Sequence, residues 1–249
     1  MAIYKDYAQV YDHSGQLAFS LQMIPYLSRL LERHPAEGKV MLELACGTGT
    51  VAIAQAEAGG RVYAVDGSAD MLAQARRKAR DSGTAPLWSQ QDMRQFTLPE
   101  RVHLVTSLYD SMNYMLTSDD LSMVFRQVYD VLLPGGLLLF DMNTAWAFAT
   151  LWDEETYFID SDDLTVTMKS DYDSQRQRAS VTVTCFQRVG DLYRKIVERH
   201  TEQAYPREQI ATLLADAGFW VEGKYDCFSL DPPTPSSNRI MWAARRPGA

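Results

Sequence analysis

The feature that most constrains this chain is an almost wholly apolar run from Lys39 to Ala45 that breaks into Cys46-Gly47-Thr48-Gly49 and gives way to a helical pattern over Thr50 to Ala58. A short apolar run without polar alternation marks a strand buried on both faces, as parallel strands are when helices cover them. A second unit follows at once: Arg61 to Asp66 reads as a strand and Ala69 to Asp81 as a helix, with Ser68 placed to cap it ahead of Met71, Leu72 and Ala75. Further strands are predicted near Pro86 to Ser89, at Val102 to Ser107 and at Gly136 to Asp141. A helix from Ser118 to Leu132 precedes the last of these and ends at Pro134-Gly135-Gly136. Repeated β then α units imply parallel strands joined by right-handed crossovers, a doubly wound α/β sheet.

After Thr144 the rhythm changes. Leu164 to Tyr172, Ala179 to Arg188 and, more loosely, Leu192 to Gln203 alternate apolar with polar residues, as half-covered antiparallel strands do, and Gly190-Asp191 fits a two-residue hairpin between the last two. Pro206 to Ala217 then reads as a helix stopped by Gly218, followed by strands at Phe219 to Asp226 and Arg239 to Arg245. The expected organisation is residues 1–145 as the first part of the α/β domain with an N-terminal segment, 146–205 as an inserted antiparallel sheet, and 206–249 as the remainder of the domain.

The length of 249 residues suits one such domain carrying an insertion. A net charge of -8 disfavours a nucleic-acid partner bound through a broad basic surface, and the cluster Arg76, Arg77, Lys78 and Arg80 reads as a solvated helix face. Three widely spaced cysteines form neither a disulfide framework nor a metal set, and no run approaches the ~18 apolar residues of a membrane span, so a cytoplasmic protein without a metal site is expected.

The chemistry begins at the first βα turn. Gly47 and Gly49 lack a Cβ, so the backbone there can lie against a ligand, and Asp66 at the end of the second strand can accept both hydroxyl hydrogens of a ribose. Nicotinamide cofactors use the same pair of features, and Ala52 at the third position of the glycine fingerprint is compatible with them, so these residues define a nucleotide-type pocket without choosing the cofactor.

Leu42-Glu43-Leu44-Ala45-Cys46-Gly47-Thr48-Gly49 resembles the first motif of class I methyltransferases that use S-adenosylmethionine, in which an acidic residue precedes the glycine turn. Three other segments resemble that family. Gln91-Asp92-Met93-Arg94 is similar to its adenine turn, where the Asp carboxylate accepts from the exocyclic amine and the next backbone N–H donates to a ring nitrogen. Ser107-Leu108-Tyr109-Asp110 stands where the family meets the methionine and the acceptor, and Leu133-Pro134-Gly135-Gly136 resembles its turn before strand five. Tyr4 to Asp12 resembles its N-terminal lid, whose aromatics can face a sulfonium, with Tyr4 the favoured contact.

The resemblance is nearest to small-molecule N-methyltransferases of the amino-sugar type, which share an Asp-Met-Arg turn, a segment like Ser111-Met112-Asn113-Tyr114 and a sheet inserted after strand five. It implies a Rossmann-like sheet, mostly parallel with the last strand antiparallel. It places the cofactor against Tyr4, Tyr11, Glu43, Ala45, Cys46, Gly47, Thr48, Gly49, Asp66, Gly67, Met71, Gln91, Asp92, Met93 and Leu108, with Tyr109 and Tyr114 on the acceptor side. The implied reaction is in-line methyl transfer to a small molecule, an amine nitrogen first among acceptors. The competing readings are a nicotinamide-dependent oxidoreductase and a non-catalytic S-adenosylmethionine-binding protein. The inserted sheet is expected to cap the substrate, with a homodimer interface as the alternative.

Several other signals carry less. Asp231-Pro232-Pro233 is expected to be a loop turn, Cys46 a small packing residue and His103 a structural histidine in the fourth strand, while His13 is a minor candidate for a substrate contact.

Overall fold

The computed structural model describes residues 3–152 and 156–248. Its central sheet is built from β1 (Val40–Leu44), β2 (Arg61–Asp66), β3 (Leu87–Gln90), β4 (Val102–Ser107), β5 (Leu132–Asn143), β10 (Trp220–Asp226) and β11 (Arg239–Arg245). The strand order is β10-β11-β5-β4-β1-β2-β3. Strands β1 to β5 pair in parallel, with Leu42 opposite both Tyr63 and Val105, while β11 runs antiparallel to β5 and to β10. The implied Rossmann-like sheet with an antiparallel last strand is therefore present. The order reverses between β1 and β4, and at such a switch point the diverging connections leave a crevice over the carboxyl ends.

Both faces of the sheet are covered, which explains the unalternating apolar runs. Leu42, Leu44, Val105, Leu138, Phe140 and Trp242 face one core with the helices α4 (Ser118–Val131) and α6 (Arg207–Asp216). Met41, Val62, Ala64, Leu104, Leu139 and Met241 face the other, under α1 (Leu17–Arg33) and α2 (Thr50–Glu57). The register fixes which residue goes to which face, because a one-residue slip would exchange the two sets. Helix α4 shows the matching helical period, burying Leu121, Val124, Phe125 and Val128. On α3 (Ala69–Ser82), Ser68 caps as expected: its hydroxyl accepts from Met71 N at 3.2 Å.

Three elements depart from the sequence reading. Helix α1 was not expected, although Met23, Tyr26, Leu27 and Leu30 form a buried helical stripe; Pro25 lies inside it and masks the pattern. The segment after β5 starts with a short helix, α5 (Ala145–Leu151), and its sheet has four strands instead of three: β6 (Thr156–Asp160), β7 (Leu164–Asp173), β8 (Arg178–Val189) and β9 (Leu192–Gln203). Strand β6 exposes both Tyr157 and Phe158, so it shows no clean alternation. Residues 153–155 of the expected insertion lie outside the described residues. Finally, Pro134-Gly135-Gly136 falls within the span of β5, as an irregularity between its pairing of Leu132 with Val102 and of Leu137 with Leu104.

The inserted sheet is a meander in the order β6-β7-β8-β9, and Gly190-Asp191 makes the β8–β9 hairpin, with Val189 opposite Leu192 and Gly190 at φ 63°. Its inner face, including Val166, Val183, Cys185 and Ile196, packs on Tyr7 and Val10 of the N-terminal segment. That segment is therefore clamped between the inserted sheet and the crevice. Among the described residues no helix is long and apolar enough to cross a membrane.

Candidate active site

The carboxyl ends of β1, β2 and β4 open into one cavity of about 1040 Å³, roofed by the N-terminal segment. That is at the upper end of the ~300–1,000 Å³ usual for ligand sites, large enough for a cofactor and a small acceptor together. At the end of β1 the chain turns sharply, with Ala45, Gly47 and Gly49 at φ 59°, 54° and 75°. Left-handed backbone at Ala45 costs roughly 1–2 kcal/mol, and the surrounding bonds hold it. Gly47 N donates to Asp66 Oδ2 at 2.8 Å and Ser68 N to Oδ1 at 2.7 Å, so one carboxylate ties the first and second turns. Burial raises the Asp66 carboxyl above its ordinary range, and the Ser68 and Gly47 N–H groups oppose that rise. Each oxygen retains a lone pair for a ribose hydroxyl.

The two glycines have different tasks. A Cβ on Gly47 would meet nothing within 4 Å, because that side faces the cavity, whereas a Cβ on Gly49 would lie 2.5 Å from the Trp88 ring. Gly47 leaves space for a ligand, and Gly49 lets α2 approach β3. Of the cofactor residues expected from sequence, Gly49 alone does not line the cavity; Tyr4, Tyr11, Glu43, Ala45, Cys46, Gly47, Thr48, Asp66, Gly67, Met71, Gln91, Asp92, Met93 and Leu108 all do, as do Tyr109 and Tyr114.

Glu43 sits on the floor, 4% exposed, with Oε2 lacking any hydrogen-bond partner. Burial pushes its carboxyl up to about 8, opposed by a backbone N–H of Ala52. It is a neutral acid at pH 7, ready to ionise beside a cation. At the third turn Asp92 is half exposed and forked by Arg94, whose Nη2 and Nε donate to it at 2.6 and 3.0 Å; this contact holds the Asp92 carboxyl below its ordinary value. Arg94 also pairs with Asp120 at 2.9 Å, so the turn is braced toward α4.

The other end of the cavity is aromatic. Tyr109 and Asp110 both adopt left-handed backbone, at φ 58° and 54°, and their N–H groups donate to the buried Asp141 carboxylate at 2.7 and 3.0 Å. Arg239 bridges Asp141 and Asp110 at 2.5 and 3.0 Å, with its guanidinium 4.6 Å from the centre of the Phe19 ring and 5.4 Å from that of Tyr109. Tyr109 stacks on Phe19 at 4.0 Å, and its hydroxyl donates to Gln16. The ring is therefore fixed on its face and at its tip.

Tyr4 and Tyr114 meet hydroxyl to hydroxyl at 2.6 Å, and Tyr114 Oη lies 3.2 Å from Nδ1 of His200 on β9. Burial drives both phenols well above their ordinary value, so they remain neutral donors. Below them Glu202 shares the Asn143 amide with Asp110, at 3.2 and 2.6 Å, and its burial raises its carboxyl well above the usual range.

The lid is held at several points. Glu198 on β9 accepts Tyr4 N, Lys5 N and Tyr7 N at 2.6, 3.0 and 3.0 Å, and Ser68 Oγ donates to Tyr4 O at 2.7 Å. Asp12 accepts from Thr48 Oγ1 at 2.7 Å and pairs with Lys78 at 2.5 Å. Lys78 is thus part of the lid's anchorage, which corrects the reading of the whole α3 cluster as a solvated face; Arg76, Arg77 and Arg80 are exposed.

The sequence reading missed Phe19, Ser20 and Met23 of α1, which line the cavity, and the polar set of buried Asn143, His200 and Glu202 with the partly buried Arg239 around Asp110. One signal was available: the inward positions of β9 read Ile196, Glu198, His200, Glu202, polar groups where an apolar face was due. The remaining signals fall where expected. Asp231-Pro232-Pro233 lies in the loop between β10 and β11, and Cys46 is buried with its thiol pushed up by burial. His103 stays within β4, but its buried Nδ1 has no hydrogen-bond partner among the described residues, so it is not the satisfied histidine expected there; His13 is exposed.

A switch-point cavity bounded by a glycine turn, a strand-end Asp with lone pairs free and an acidic third turn has the form of a nucleoside-cofactor site. Comparison with known proteins narrows the class. Residues 41–136 match the family model described as a methyltransferase domain. Over 245 residues, 98% of this chain and 97% of the relative, the sequence is 30% identical to YqeM of Bacillus subtilis (strain 168), a provisionally named methyltransferase. The fold superposes with a TM-score of 0.88 on an S-adenosylmethionine-dependent methyltransferase from Clostridium acetobutylicum ATCC 824, at 26% identity, covering 99% of this chain and 100% of that one. A dTDP-3-amino-3,6-dideoxy-alpha-D-glucopyranose N,N-dimethyltransferase of Streptomyces fradiae is 30% identical over 136 residues, 54% of this chain and 52% of that protein. The chain belongs to the S-adenosylmethionine-dependent methyltransferases. The nicotinamide reading is thereby set aside.

Proposed function

We propose that this enzyme methylates an amine nitrogen of a small molecule, bound between the tyrosines of the lid and those following β4. The observation that carries the reading is one continuous cavity joining the turns after β1, β2 and β3 to an end lined by Tyr4, Tyr109 and Tyr114. Further support comes from the Streptomyces fradiae relative, whose name describes an N,N-dimethyltransferase acting on an amino sugar.

The cavity fits the cofactor: the space beside Gly47 would take its backbone-facing edge, and the unpartnered Oε2 of Glu43 suits a cationic ligand. Asp66 would hold the ribose hydroxyls, and Asp92 with Met93 N the adenine edge, Asp92 sharing its carboxylate with Arg94. When bound, S-adenosylmethionine supplies a methyl group already made electrophilic by its sulfonium. What remains for the chain is orientation, a term worth roughly 7–11 kcal/mol in well-aligned reactions, and the exclusion of water. Tyr109, locked by Phe19 and Gln16, and Tyr114, locked by Tyr4 and His200, present rigid walls for this task.

The inserted sheet, residues 146–205, serves in this reading as the substrate cap, because it anchors the lid through Glu198. Replacing it with a short linker and finding unchanged substrate choice in a folded enzyme would refute that role. The reading as a whole is tested with labelled cofactor against panels of amines, phenols and carboxylates. Transfer to nitrogen is expected; Asp66→Ala should abolish cofactor binding, and Tyr114→Phe and Tyr109→Phe should slow turnover. A protein that binds cofactor yet methylates nothing would be a non-catalytic binder, and unchanged turnover in both tyrosine variants would remove their acceptor-side role.

A further inference from the structure

We propose that His200 is a positioning residue that acts through Tyr114, accepting the proton an ammonium acceptor must lose before its nitrogen can attack. The inference rests on the acceptor being an amine, as proposed above. An amine of ordinary basicity enters a pocket at neutral pH mostly as its ammonium form, which has no lone pair, so a path for one proton out of the closed site is required.

The geometry supplies such a path. Tyr4 Oη, Tyr114 Oη and His200 Nδ1 follow one another at 2.6 and 3.2 Å, and only the two phenols line the cavity. His200 is 2% exposed and lies behind them. Its Nε2 has no hydrogen-bond partner, but the Glu198 carboxylate stands 3.7 Å away. A proton on Nε2 is attracted to that carboxylate, which leaves the Nδ1 lone pair for the Tyr114 hydroxyl. The step balances as one proton moved: the ammonium gives its proton to a phenol oxygen while that hydroxyl's own proton passes down the chain to Nδ1. No electrons are transferred. The imidazolium formed is stabilised by Glu198, which reaches the lid's outer edge through Lys5 N and Tyr7 N.

The groups that face His200 agree with this role. From the lid come the Tyr4 and Tyr7 rings, at 4.6 and 6.1 Å; from the 111–114 turn comes Tyr114; from its own strand come Glu198 and Glu202; and across the ladder lies apolar Val181. Burial holds the imidazole below its ordinary value, against the pull of Glu198, so it is neutral and able to accept at pH 7.

Two measurements test the proposal. The first needs no acceptor: nitrogen NMR of the full chain labelled at histidine should show His200 as a neutral imidazole protonated on Nε2 at pH 7, with its resonances shifted in Tyr114→Phe. A proton on Nδ1, or an imidazolium at pH 7, would overturn the proposal even if no substrate is found. The second uses glucosamine and benzylamine as probes. In His200→Asn the amide oxygen can still accept from Tyr114 but cannot take up a proton. That variant should lose at least tenfold in kcat at pH 7 with KM changed less than threefold, and should recover as pH rises and free amine predominates. Equal kcat in both proteins across the pH range overturns the proposal. Methylation of phenols or carboxylates alone instead overturns the amine reading on which it rests.

Discussion

Glu43→Gln gives the sharpest view of how the pocket is built. In the folded protein burial holds the Glu43 carboxyl at about 8, against an ordinary value of 4.5. Between these values the folded state binds more protons than the unfolded state, so stability falls as pH rises from 4.5 to about 8 and is level above. At about 1.4 kcal/mol per unit the cost is roughly 3 kcal/mol at pH 7 and about 4 kcal/mol at pH 8, and below 1 kcal/mol near pH 5. Glutamine removes the ionisation but keeps an unpaired polar group, so about half of that gain is expected to appear. At ~2–4 °C per kcal/mol, the variant should unfold at least about 4 °C higher at pH 8 and near the wild-type temperature at pH 5. Cofactor affinity should move the opposite way, because the cation of the bound cofactor favours ionised Glu43. Calorimetry of cofactor binding in two buffers of different ionisation enthalpy should detect a fraction of a proton released by the wild type at pH 7 and none by the variant. A variant no more stable at pH 8, with unchanged affinity and proton release, would refute the reasoning.

The two glycines of the first turn should separate cleanly. Gly47→Ala, with open space at its Cβ, is expected to weaken cofactor binding at least tenfold while costing roughly 1–2 kcal/mol of stability; Gly49→Ala, whose Cβ would meet Trp88, should instead lower the melting temperature strongly. Denaturant melts and calorimetry distinguish the two. Glu198→Gln weakens three backbone contacts to the lid and should speed proteolysis within residues 3–14, with the melt of the sheet core little changed.

The α/β core was legible because its signals are local. Strands β2, β4 and β11 coincide with their predicted spans, since runs buried on both faces leave little choice of boundary, and most of the residues expected to meet the cofactor lie at or directly after the ends of β1, β2, β3 and β4. The aromatic end of the cavity was legible only in part. Tyr4 and Tyr114 stand 110 residues apart in the chain, and Tyr114 and His200 a further 86, so no window of sequence displays their contact. Arg239 likewise reaches Asp110 across 129 residues. Helix α1 was hidden for another reason, since Pro25 reads locally as a break while the tertiary burial of Met23, Tyr26, Leu27 and Leu30 overrides it.

The central claim is tested most directly by incubating the protein with trideuteromethyl-labelled S-adenosylmethionine and the amine, phenol and carboxylate panels, and reading the mass and fragmentation of the products. The account predicts label on the nitrogen of a small amine, lost in Asp66→Ala. Label found on oxygen or carbon alone, or no labelled product from a protein that binds the cofactor, would contradict it.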